Sequence, residues 1–80
     1  HERSRCLTIY FIIMTHYAWT YFVGSLTDAR KIVNEWNEIT NTKCFQIVNS
    51  VKGTHLLEGC IDKNTLKETN IENEFVIAEL

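Results

Sequence analysis

Residues 6–24 read CLTIYFIIMTHYAWTYFVG, the most apolar stretch of an 80-residue chain. Three readings compete for it: a membrane-spanning helix, a secretion signal, or buried strands. The run from 6 to 23 reaches the minimum length for a spanning helix, about 18 residues. Thr8, Thr15, His16 and Thr20 interrupt it, however, and its apolar members are mostly Ile, Tyr, Phe, Trp and Val. Those side chains are β-branched or bulky and favour strands. Arg3 and Arg5 ahead of the apolar run 7–14 imitate a signal peptide, but no small-x-small cleavage site follows. The strand reading fits best. In YAWTYFV (17–23), Tyr17, Trp19, Tyr21 and Val23 face one way, and Ala18, Thr20 and Phe22 face the other with His16. Bulk on both faces marks a central strand, or one covered by a partner.

Met14 opens MTHYAWTYFVG, which would serve as a natural start. On that reading residues 1–13 are a leader or a non-native extension, and residues 14–80 are the working domain. The alternative is that 1–13 form a first strand of their own.

Downstream, Gly24 breaks the strand and Ser25 stands three residues before Asp28. A Ser hydroxyl there caps a helix by accepting from the Asp28 N–H, and an acid suits the positive end of the first turn. In ARKIVNEWNEI (29–39) the apolar residues Ala29, Ile32, Val33, Trp36 and Ile39 form one helical stripe. The helix stops in TNTK without a glycine. CFQIVNSV (44–51) and THLLEGCI (54–61) read as a hairpin turning at Lys52-Gly53, with Val51 opposite Thr54. Phe45, Ile47 and Val51 are expected on one face of the first strand, with Cys44, Gln46, Val48 and Ser50 on the other. Cys44 then falls opposite Ile61, or opposite Cys60 if the pair carries one bulge; separately, Gly59 is a plausible bulge site. DKNTLKETNIEN (62–73) reads as a loop with one helical turn around 65–69. EFVIAEL (74–80) ends the chain as a strand with Phe75 and Ile77 inward.

These elements predict a single α+β domain of two layers: an antiparallel sheet of three to five strands with one amphipathic helix packed on one face. A chain of this length buries only about 60% of its unfolded surface. One helix does not cover the second sheet face, and an uncovered apolar face marks an interface.

The net charge of −2 is small, but it is unevenly distributed. Residues 58–80 hold six acids (Glu58, Asp62, Glu68, Glu72, Glu74, Glu79) against two lysines, whereas residues 1–57 hold six basic residues against four acids. The acidic end disfavours nucleic acid and suits a basic protein surface, or simply a solvated edge. Base stacking on the sheet aromatics would need a positive groove from Arg30, Lys31, Lys43 and Lys52, in a chain that is acidic overall.

Signs of chemistry are sparse. Cys6, Cys44 and Cys60 make no CxxC pair, and His1, His16 and His55 are scattered, so no metal site and no cofactor is expected. The cysteines read as partly buried thiols of a cytoplasmic protein. Ser25, His16, His55 and Asp28 lack any motif that would assemble them into a triad. The three glycines are isolated, which excludes a phosphate loop. The chain is therefore read as a non-enzyme.

The order of strand, SLTDARKIVNEW helix (25–36) and hairpin, over residues 17–61, resembles that of many small phage-encoded proteins, anti-CRISPRs and host-takeover inhibitors among them. The resemblance is one of size and architecture. It implies a protein of the host-cell cytoplasm that binds and blocks a larger, nucleic-acid-processing machine, with acidic side chains in the nucleic-acid site. The candidate partner-binding residues are Tyr17, Trp19 and Tyr21 on the strand, and Glu68, Glu72, Glu74 and Glu79 on the acidic end. Two other roles remain open: a structural homodimer or accessory subunit, and a secreted or tethered peptide with residues 1–23 as leader.

Overall fold

The computed structural model describes residues 14–80. Strand β1 (His16–Val23) leads into helix α1 (Leu26–Thr40), followed by the hairpin of β2 (Gln46–Val51) and β3 (Thr54–Ile61). A short helix α2 (Lys63–Glu68), a 3-10 turn (Ile71–Asn73) and strand β4 (Val76–Glu79) complete the chain. The sheet order is β2-β3-β1-β4, and every pairing is antiparallel. The expected α+β architecture is present, with the apolar 17–23 stretch as an interior strand. Among the described residues no helix is long and apolar enough to cross a membrane. Expectations for residues 1–13 lie outside the described residues.

Helix α1 begins as its sequence dictates. The Ser25 hydroxyl accepts from the Asp28 N–H at 3.0 Å. It ends on Asn41, whose φ of 54° supplies the left-handed cap that a glycine usually gives. The buried stripe is Ala29, Val33, Trp36 and Thr40. Ile39, expected in that stripe, is 48% exposed. Thr40 sits one turn beyond Trp36 and takes the place, its hydroxyl bonded back to the Trp36 carbonyl at 2.7 Å.

The core lies between α1 and one sheet face. Ala18, Leu57 and Ile61 meet Ala29, Val33 and Trp36, and Phe45, Ile71 and Phe75 close the end. Phe75 and Ile77 point inward as expected. The 62–73 segment is more ordered than its polar sequence suggests. Asp62 caps α2 by accepting from the Thr65 N–H at 2.7 Å, and Ile71 is fully buried.

The hairpin register corrects one expectation. Val51 pairs with Thr54 as expected, but the bulge falls at Val48 on β2, not at Gly59. Beyond the bulge the faces exchange: Ser50 joins Ile47 on the helix side, and Val51 joins Gln46 on the other. Gly59 instead makes room for the Phe45 ring, since a Cβ there would stand 2.5 Å from a ring atom.

Candidate interaction surface

Period-two alternation sends Tyr17, Trp19, Tyr21 and Val23 to the sheet face away from α1. Register adds Leu56, Glu58 and Cys60 from β3, Gln46, Asn49 and Val51 from β2, and Val76 and Ala78 from β4. The two ends of this face differ. Towards the start of β1 it is buried and polar; towards the hairpin it is open and apolar.

At the buried end stands Glu58, only 4% exposed. Its cross-strand neighbours are Gln46 on β2 and Trp19 on β1, with Tyr17 on the diagonal. The Tyr17 hydroxyl donates to Glu58 Oε1 at 2.6 Å, and Gln46 Nε2 donates to Oε2 at 3.1 Å. Both carboxyl oxygens are thus held by side chains from flanking strands. Sequence reading counted Glu58 with the surface acids; its position between apolar neighbours in THLLEGCI was the available sign of burial.

At the open end, Trp19 and Tyr21 pack edge to face at 5.6 Å. Tyr21 is 62% exposed, Val23 is 77% exposed, and Val51 is 56% exposed. Val76, opposite Trp19, is exposed as well. This is the uncovered apolar patch that one helix could not reach.

The candidate acids are placed elsewhere. Glu68 ends α2, Glu72 lies in the 3-10 turn, Glu74 follows it, and all three are exposed. Glu79 pairs with His16, so it stands on the opposite sheet face from Tyr17, Trp19 and Tyr21. The aromatic and acidic candidates form two surfaces. Arg30 and Lys43 line an open groove between α1 and β2.

The nearest approach to reactive chemistry is on the helix side. His55 Nε2 lies 2.9 Å from the Gly24 carbonyl, and Ser50 Oγ lies 2.7 Å from Nδ1. A carbonyl only accepts, so Nε2 carries a proton and donates to Gly24. Phe22 stacks on the ring at 6.4 Å. The arrangement fastens the hairpin to the β1–α1 turn. Ser25 is occupied in capping α1, and the His16 ring bonds Thr15 at the far end of β1 from Gly24. Among the described residues no group of three or more His, Cys, Asp or Glu is placed to hold a metal ion.

The cysteines depart from expectation. Cys44 is disulfide-bonded, whereas Cys60 keeps a buried thiol, so these two do not join. Pairing depends on three-dimensional approach, which spacing alone does not reveal.

No known protein family, curated protein or solved structure matches this chain.

Proposed function

We propose that this chain is a small non-enzymatic protein-interaction module, which acts by laying its open sheet end against another protein. The observation that carries the reading is the contiguous exposure of Tyr21, Val23 and Val51 on the face that α1 leaves bare. A contiguous exposed apolar patch on a small domain commonly marks an interface. Tyrosine also supplies large contact area at low entropic cost. The acids Glu68, Glu72, Glu74 and Glu79 offer a second, electrostatic surface suited to a basic partner. Blocking of a larger host or defence assembly, the mode that the architectural resemblance implies, is compatible with both. The test is quantitative binding of a captured protein partner by the wild type and by two variants, Tyr21→Glu and the charge reversal Glu72→Lys/Glu74→Lys. Loss of binding with unchanged circular dichroism supports the reading. Unaltered affinity in both variants removes both surfaces.

The Cys44 disulfide favours a second reading, in which the same module works in an oxidising compartment. Alkylation of native protein without reductant decides the matter. Modification of Cys44 under those conditions counts against export.

A further inference from the structure

β1 has eight residues, but β4 pairs with only the first four, His16 to Trp19. Which groups this leaves bare follows from the ladder. The Gly24 N–H donates to the Gly53 carbonyl, directly across from it on the β3 side. In an antiparallel pair the N–H and C=O of one residue point the same way and alternate along the strand. Even-numbered residues of β1 therefore aim at β3, and odd-numbered ones aim outward. Thr15, just outside β1, turns both ways: its carbonyl accepts from the Leu80 N–H on the β4 side, and its N–H donates to the Ile61 carbonyl on the β3 side, so the parity is taken from Gly24. Tyr21 and Val23 are thus left with outward N–H and C=O groups that meet no strand among the described residues. Their side chains are the most exposed large apolar pair of the sheet.

We propose that this half-covered edge of β1 pairs with the same edge of a second copy of the chain, a partner within the interaction-module reading on which the proposal rests. The register is self-complementary. A two-fold axis at Phe22 places Tyr21 opposite the second copy's Val23, and Val23 opposite its Tyr21. Both are hydrogen-bonded pairs, so all four outward groups of each copy are satisfied at once. The cross-strand contact is then aromatic on β-branched, a favourable sheet pair. Charge permits it: residues 20–23 are Thr, Tyr, Phe and Val, so no like charges meet across the axis. Monomeric proteins usually protect such an edge with Lys, Pro or a bulge, and residues 20–23 pair with β3 without any of these. The result is one continuous eight-stranded sheet.

The test is sedimentation equilibrium of the 80-residue chain across a wide concentration range, with two variants. Val23→Pro removes one outward N–H while keeping an extended backbone; Val23→Lys keeps the N–H and puts a charge at the exposed contact. The expected result is a dimer in the wild type, with dissociation constants at least tenfold higher in both variants and unchanged circular dichroism. A dimer insensitive to both variants overturns the edge assignment. A wild-type monomer at millimolar concentration overturns self-pairing. If that monomer still binds a foreign protein through Tyr21, the module reading stands without the dimer; if it binds none, both fall.

Discussion

Replacing Gly59 with alanine puts a methyl group where the Phe45 ring already lies. The added Cβ would stand 2.5 to 2.7 Å from three ring atoms, far inside van der Waals contact. The ring cannot easily retreat. Phe45 is buried against Trp36 and Phe75, with centroids 6.3 and 5.5 Å away. Its backbone is also clamped: the Asn37 side chain donates to the Phe45 carbonyl at 3.0 Å and accepts from its N–H at 2.8 Å. Ala18 is opposite Gly59 on β1, so the sheet presents a hollow of two small residues to one large ring. Overpacking such a site costs about 1–3 kcal/mol, and the clamp argues for the upper half. A domain of 80 residues has a total stability of roughly 4–12 kcal/mol. With a urea slope of about 1 kcal/mol/M, Gly59→Ala should lower the unfolding midpoint by roughly 2 M. Phe45→Ala alone should cost about 3–5 kcal/mol. In the double variant the alanine methyl meets no ring, so the two losses should fall well short of additive. A midpoint for Gly59→Ala within 0.3 M of wild type, an arbitrary tolerance of roughly 0.3 kcal/mol, would refute the packing argument.

Other sites carry their own expectations. Lys52 holds φ at 52° in the hairpin turn, a conformation that costs an L-residue about 1 kcal/mol, so Lys52→Gly should raise the thermal midpoint; a fall would contradict the turn geometry. Trp36 buries its indole Nε1 without a hydrogen-bond partner, so Trp36→Phe should cost about 1–2 kcal/mol less than truncation of a satisfied tryptophan, as measured by urea unfolding. Asp62→Ala should cost about 1 kcal/mol through loss of the α2 cap. The Thr65 side-chain and backbone hydrogen bonds hold the Asp62 carboxyl below its ordinary value of 3.8. Because its folded pKa is the lower one, its contribution is complete above the unfolded value and fades as pH falls through the folded one, so the stability gap between wild type and Asp62→Ala should close in acid. A gap independent of pH would show that the carboxyl is not the cap.

The residues differ in how openly they declared their roles. Ser25, Asp28 and the 29–36 stripe are local signals, and local chemistry is enough to place α1 and its first cap. The same holds for the alternation in 17–23 and for the Lys52-Gly53 turn. The bulge at Val48 was hidden, because one extra residue exchanges the faces beyond it and leaves no mark in composition. For the same reason the meeting of Ser50 with His55 could not be read in advance. Glu58 is misleading by type: it is the first of the six acids in residues 58–80, yet its strand neighbours supply a tyrosine hydroxyl and a glutamine amide. Ile71 was missed because a single apolar residue in a polar stretch has no period to reveal it. The half of β1 that no strand among the described residues covers is a consequence of pairing lengths, eight residues against four, and pairing is a tertiary fact.

The most direct measurement is amide hydrogen exchange by NMR at residues 20 to 23, first in dilute solution and then at rising concentration. Thr20 and Phe22 face β3 and should be protected throughout, whereas Tyr21 and Val23 should exchange rapidly when dilute and gain protection together as copies associate. Equal protection of all four amides in dilute solution would contradict an open edge, and Tyr21 and Val23 unprotected at every concentration would contradict its pairing with a second copy.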